Sequence, residues 1–327
     1  MEIKFIVTGG AGFIGCNLIA ELNRRGEQAI LVVDSLGTGG KWRNLVGLKY
    51  EDFMDKALFR EGMWREGLLD DVQAVFHLGA CSVTTESDAD YLVDNNYAYS
   101  RELCTWCLER GARFIYASSA ATYGDGSLGY SDNDDVTPSL HPLNMYGYSK
   151  QMFDLWALAN GLFSEISGLK YFNVYGPRED HKGEMRSVVN KAHSQILDSG
   201  EVTLFKSYHP DYRDGEQKRD FVCVTDAVDV ILWFLDNPSI SGLFNCGTGI
   251  ARTWNDLASA TFAAMDREPK IRYIEMPGAL IEKYQYFTEA DMTKLRAAGY
   301  ATPPTNLEDG ARFYVQSLPS PGTTNRR

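Results

Sequence analysis

Short apolar runs alternate with amphipathic stretches through the first half of the chain. Ile3-Lys-Phe-Ile-Val-Thr8 predicts a strand, and it runs into a glycine-rich turn followed by Cys16 to Asn23, whose apolar positions fall at helical spacing. A second apolar run, Ala29 to Val33, ends at Asp34. The rhythm continues through Ala74-Val-Phe-His77, an amphipathic helix from Tyr97 to Arg110, and Arg113-Phe-Ile-Tyr-Ala117. Strands that alternate with helices predict an α/β fold built on a doubly wound parallel sheet, and near-continuous apolar strands fit a sheet covered on both faces. Past about residue 175 the elements shorten and polar loops intervene, notably Tyr208 to Gln217. Gly168 to Asn173 and Gly242 to Asn245 still read as returns to the sheet, so the second half is predicted to be a smaller domain interleaved with the first.

Charge narrows the possible partners. The 327 residues carry 32 Lys+Arg against 44 Asp+Glu, a formal net charge of -12. A broad cationic face for nucleic acid or anionic membrane is therefore not expected, and any anionic ligand must be held by a local cluster. No apolar run approaches the ~18 residues of a membrane span; the best candidate is Ile231 to Leu235. The first residues lack the apolar core of a secretory signal, so a cytoplasmic protein is expected. Cysteines 16, 81, 104, 107, 223 and 246 mostly sit in apolar runs, which predicts buried thiols rather than a disulfide framework. Cys104 and Cys107 share a helix face, but no second pair completes a zinc site, and the histidines show no ligand spacing. No metal is expected.

The turn after the first strand carries chemistry. Gly9, Gly12 and Gly15 join a strand to a helix, where bare backbone lets a pyrophosphate approach amides at the positive end of the helix dipole. Asp34 ends the second strand, where an acidic side chain reaches the ribose hydroxyls of a dinucleotide. The cationic loop that follows, with Lys41 and Arg43, suits a 2'-phosphate, so NADP is favoured and NAD is the alternative. Tyr146 and Lys150 lie four residues apart, on one face of a helix. A phenol has an ordinary pKa near 10, so service as a base at neutral pH needs a nearby cation, which Lys150 supplies. Ser119 follows the Arg113 strand and offers a hydroxyl to a substrate oxygen.

Gly-x-x-Gly-x-x-Gly, a strand-end Ser and Tyr-x-x-x-Lys, in this order, resemble the extended short-chain dehydrogenase/reductase family over nearly the whole chain. His77-Leu-Gly-Ala80, Arg219-Asp-Phe-Val222 and Phe244 to Gly249 are similar to family stretches as well. Ser119 is followed by Ala120 and Ala121, without the acidic pair of the dehydratases. Gly79 to Glu86, Asp94-Asn-Asn-Tyr97, Tyr171 to Met185 and Tyr284 to Asp291 resemble the branch that epimerises ADP-heptoses for lipopolysaccharide. The resemblance implies a Rossmann domain over 1–174 whose sheet is completed by parts of 220–250. It also implies a mainly substrate-binding domain over 175–316; 317–327 has the composition of a flexible tail.

The resemblance further implies transient oxidation and re-reduction at C6 of the sugar by bound NADP. Tyr146 and Lys182 would be alternating acid/bases, Lys150 the modulator and Ser119 the partner of the sugar hydroxyl. It places Phe13, Ile14, Ser35 and Lys56 in the cofactor groove, with Leu78, Gly79, Ala80, Cys81, Ser82, Asn95 and Val174. It places Asn173, Phe205, Lys206, Ser207, Arg219 and Tyr284 against substrate, Arg219 and Lys206 as donors to a diphosphate. Glu184 and Lys191 are carried over to substrate contacts as well, at positions where the family has a serine and a histidine, and the 208–217 loop is longer than in short relatives. A homo-oligomer is implied too. Two alternatives stay open: a UDP-hexose 4-epimerase, in which Lys182 is dispensable, and a non-catalytic dinucleotide-sensing module.

Overall fold

The structure is a computed structural model that describes residues 3–65, 69, 71–281 and 284–318. The strands in chain order are β1 (Phe5–Thr8), β2 (Ile30–Asp34), β3 (Asp52–Asp55), β4 (Ala74–His77), β5 (Arg113–Ser119) and β6 (Ser167–Tyr171). They continue as β7 (Asn173–Tyr175), β8 (Val202–Phe205), β9 (Lys218–Cys223), β10 (Gly242–Cys246), β11 (Ala251–Thr253) and β12 (Ile271–Ile274). The helices are α1 (Phe13–Arg24), α2 (Lys56–Gly62), α3 (Ala89–Leu92), α4 (Tyr99–Glu109), α5 (Met145–Ala159) and α6 (Val188–Ser199). Then come α7 (Val224–Asp236), α8 (Trp254–Ala264), α9 (Gly278–Ile281), α10 (Thr293–Ala297) and α11 (Leu307–Ser317).

Among the described residues the main sheet has seven parallel strands in the order β10-β6-β5-β4-β1-β2-β3. Alternate side chains of each central strand enter opposite cores. Phe5, Val7, Val32 and Phe76 pack with α1 and α7, whereas Ile6, Val33, Val75 and Phe114 pack with α4 and α5. The strands read as unbroken apolar runs because both faces are covered. Chain order reverses between β1 and β4, and Thr8 lies in register with both Val33 and His77. The loops leaving β1, β2 and β4 therefore emerge side by side at the carboxyl edge, where ligands bind in open α/β sheets.

The two halves interleave. Phe172 alone separates β6 of the main sheet from β7 of a three-stranded sheet, β11-β9-β7, and β10 later returns to the main sheet. The smaller body adds the pair β12-β8 and the helices α6, α8 and α11, with its own apolar clusters around Phe221, Leu257, Tyr314 and Phe262. Cys104 and Cys107 are buried among core residues.

Two local expectations need correction, and one strand was not expected. The helix read from Tyr97 begins eight residues earlier, and its segment Val93–Ala98 is a π turn that carries Asn95 and Asn96 inward. Ser317, read as the start of a tail, is the last residue of α11, which caps on Asn306 and buries Leu307, Ala311 and Tyr314. Residues 319–327 of that tail lie outside the described residues. β3 had no sequence signal, because it is a partly exposed edge strand bounded by aspartates.

Candidate active site

The carboxyl edge of the sheet opens into a cavity of about 590 Å³. Its base is the turn after β1. A Cβ on Gly9, whose φ is +68°, would meet Gly79 Cα at 2.7 Å, and a Cβ on Gly15 would meet Gly9 O at 2.2 Å. The turn itself thus demands glycine, because the backbones after β1 and β4 pass in contact. Gly12 is the N-cap of α1 and no side chain caps the helix, so its first amides at Phe13 and Ile14 border the cavity. That cradle fits a pyrophosphate. Asp34, at the end of β2, is buried; its carboxylate accepts from Ala11 N at 2.9 Å, Ser35 N at 2.7 Å and Lys41 Nζ at 2.5 Å.

Of the residues expected in the cofactor groove all but Arg43 line this one cavity, from Gly9 and Lys41 through Leu78 to Ser82 and on to Asn95 and Val174, whereas the Arg43 guanidinium lies 5.2 Å over the Trp42 ring. Lys56 Nζ donates to Asn95 Oδ1 at 2.5 Å. Asn96 Oδ1 accepts from Cys81 N at 2.9 Å, while Asn96 Nδ2 donates to Cys81 O at 2.9 Å and Ser149 Oγ at 3.0 Å. Asn96 thus locks the loop after β4 to α5, a role the sequence reading missed although it singled out Asp94 to Tyr97. Tyr99 and Tyr171 were missed also. Both line the cavity, and among the described residues both hydroxyls are buried without a protein partner. Polar atoms orphaned in this way are expected where a polar ligand sits.

Ser119, Tyr146, Lys150 and Lys182 border the same cavity. Asn144 caps α5 by accepting from Gly147 N, which sets Tyr146 in the first turn and Lys150 one turn on; Tyr148 points to solvent. Burial pushes the Tyr146 phenol above its usual value, and the neighbouring Ser119 hydroxyl opposes that shift. Lys150 is drawn down to about 8 by burial, against the pull of Asp154 and Cys81. Its ammonium donates to Ala117 O at 2.8 Å. In the resting site the phenol stands above its usual value with burial as the largest cause, so a lowering by Lys150 is not seen there. Lys182 sits in the turn Asp180–Met185, 4.8 Å over the Phe13 ring. This turn packs beside the 40–45 segment, where His181 Nδ1 meets Asn44 Nδ2 at 3.0 Å.

The residues expected against substrate do not gather there. Asn173, Glu184, Lys191, Phe205, Lys206, Ser207, Arg219 and Tyr284 lie outside the lining of the cavity. Glu184 and Lys191 pair with each other at 3.3 Å, and Lys206 Nζ binds Glu275 Oε1 at 2.5 Å. Ser207 N donates to Asp214 Oδ1 at 2.8 Å. The buried Arg219 guanidinium donates to the Lys218 and Gln285 carbonyls and lies 5.2 Å over the Tyr284 ring. Of the cations assigned to cofactor, substrate and catalysis, Lys41, Lys56, Lys150 and Lys182 line the cavity, while Lys206 and Arg219 belong to the smaller body. Among the described residues no helix is long and apolar enough to cross a membrane.

The NAD dependent epimerase/dehydratase family model matches residues 5–247. The chain is 58% identical over 312 residues to a Nitratidesulfovibrio vulgaris protein named ADP-L-glycero-D-manno-heptose-6-epimerase, covering 95% of this chain and 97% of that one. It is 48% identical over 323 residues to a Fusobacterium nucleatum protein of the same name, covering 95% and 97%. The crystal structure of the Helicobacter pylori ADP-L-glycero-D-manno-heptose-6-epimerase superposes with a TM-score of 0.79 at 28% identity, covering 97% of this chain and 98% of that one.

Proposed function

Because this chain belongs to the NAD dependent epimerase/dehydratase family, we propose that it interconverts ADP-D-glycero-D-manno-heptose and ADP-L-glycero-D-manno-heptose at C6. The product would serve lipopolysaccharide core heptose. One observation carries the reading beyond its relatives' names: two proton-transfer groups from separate elements, Tyr146 of α5 and Lys182 of the Asp180–Met185 turn, border a single cavity with the dinucleotide cradle. Inversion at one carbon needs this, because the hydroxyls of the two epimers project to opposite sides.

Gly9, Gly12, Gly15 and Asp34 would hold the dinucleotide, whose nicotinamide would supply the hydride acceptance and return that epimerisation at C6 requires. Tyr146 serves the hydroxyl of one epimer and Lys182 that of the other, while Ser119 hydrogen-bonds the sugar oxygen. Burial keeps the Tyr146 phenol protonated at rest. It ionises only with cationic help, which Lys150 offers from one turn along α5. Lys41 beside Asp34 supports NADP over NAD, since it is the charge complement of a 2'-phosphate. A Rossmann domain with an interleaved substrate domain, a cytoplasmic location and a homo-oligomeric assembly belong to the same reading.

NMR of ADP-heptose incubated with the enzyme tests it. Tyr146→Phe and Lys182→Met should each slow interconversion by ~10²–10⁴-fold, the usual worth of a general acid or base. Turnover of a UDP-hexose by Lys182→Met at the wild-type rate would replace this reading with 4-epimerisation. Failure of the wild-type protein to interconvert any sugar nucleotide would favour a sensor.

A further inference from the structure

We infer that Glu179 is a positioning residue for Lys182, a buried carboxylate that fixes the lysine at the cavity and ties it to the C-terminal helix. The inference rests on the reading of Lys182 as an acid/base.

The Glu179 side chain is 0% exposed, whereas that of Lys182 is 23% exposed. A carboxylate so buried is tolerated only when donors surround it. Glu179 has them. Oε1 accepts from the Ser187 hydroxyl and from the Tyr314 hydroxyl at 2.9 Å. Oε2 accepts from Ser187 N at 2.8 Å and from Lys182 Nζ at 3.3 Å. The donors come from the turn itself, from the N-cap of α6 and from α11. Tyr314 is oriented in turn, since its oxygen accepts from Asn190 Nδ2 at 2.7 Å and so leaves its proton for Glu179. Asn190 Nδ2 also donates to Asp180 Oδ1 at 2.9 Å, closing the turn onto α6.

On its other side the Lys182 ammonium lies over Phe13, the first residue of α1. The ammonium is thus held between a buried anion and a ring at the rim of the dinucleotide cradle. A lysine on a solvated turn would spend its time among many rotamers. Here its reach into the cavity is set by a carboxylate that three elements hold still.

The test is a double-mutant cycle of Glu179→Gln and Lys182→Met, with kcat and KM for ADP-heptose and the affinity for NADP. Glutamine keeps the shape and an acceptor oxygen but loses the charge. In the wild-type background kcat should fall by about tenfold or more, the worth of one charge-assisted hydrogen bond, with KM and NADP affinity within about twofold. In the Lys182→Met background the same change should cost less than about twofold, because the two residues act through one group. Losses that multiply across the cycle would overturn the inference, since a merely structural carboxylate would act whether or not Lys182 is present. Full loss in Lys182→Met with wild-type kcat in Glu179→Gln would overturn it alone. Full activity of Lys182→Met would remove the acid/base reading first and the inference with it. If Glu179→Gln does not fold, Tyr314→Phe takes its place in the cycle: it loosens the carboxylate and leaves its charge, and kcat should fall only where Lys182 is present.

Discussion

His77 closes β4 one residue before the cavity wall begins, and its surroundings decide its charge. Nδ1 lies 2.7 Å from Thr8 Oγ1 and Nε2 lies 2.8 Å from Ser100 Oγ, so two hydroxyls satisfy the ring in its neutral form. Burial, helped by the nearby Lys150 charge, lowers its pKa to about 3. Between that value and the ordinary 6.5 the unfolded chain binds one proton more than the folded one. The stabilisation is therefore complete above pH 6.5 and is lost as pH falls from 6.5 toward 3, at up to ~1.4 kcal/mol per pH unit. Urea unfolding of wild type and His77→Asn should show it: the wild-type free energy falls more steeply with acid, and parallel curves would refute the assignment. At this scale the chain was legible wherever chemistry demands a residue type at a fixed spacing, as for Gly9, Asp34, Tyr146 and Lys150. Asn96 and Tyr99 were not, because an asparagine or tyrosine in a helix has many uses, and only the π turn and the packing of α4 bring Asn96 to Cys81 and Ser149 and Tyr99 to the cavity.

Helix α5 carries Tyr146 and Lys150 and must be held in register with β5, which ends at Ser119. One buried network does so. Asp154, one turn beyond Lys150, accepts from Tyr116 OH at 2.9 Å and Ser118 Oγ at 2.6 Å, and lies 3.5 Å from Lys170 Nζ of β6. Lys170 donates to Thr122 Oγ1 at 2.7 Å and lies 4.7 Å over the Tyr123 ring. Both charges are fully buried, so removing one strands the other. Lys170→Met should cost about 3–5 kcal/mol in chemical denaturation, far more than the removal of an exposed pair such as Lys206–Glu275. A cost under ~1 kcal/mol would mean that Asp154 finds its charge balance elsewhere. The apolar elements of the main sheet were legible from their runs. β3, the π turn and the two small sheets were not, because their pairing is set by partners distant in sequence rather than by a period within the segment.

For the whole molecule, the net charge of -12 and the four lysines at the cavity (Lys41, Lys56, Lys150 and Lys182) describe one arrangement: positive charge is concentrated where the dinucleotide and its substrate would sit, and the acidic excess lies elsewhere. A ligand that binds only the folded chain stabilises it by ~2.7 kcal/mol at a hundred times its dissociation constant. Saturating NADP should therefore raise the melting temperature by several degrees. NAD at the same concentration should raise it less, and Lys41→Ala should narrow the gap; a larger shift with NAD would reverse the cofactor preference. The sequence alone determined the alternation of strands and helices, the glycine turn and the Tyr146–Lys150 face, since each depends on neighbours within a few residues, where backbone geometry fixes the outcome. Only the tertiary structure decided that Lys182 meets the dinucleotide cradle, that Glu179 and Tyr314 stand behind it, and that Lys206 and Arg219 lie apart. Those distances depend on how β7, α6 and α11 pack after the chain leaves the main sheet at Phe172, and burial and pairing between remote segments leave no local period to read.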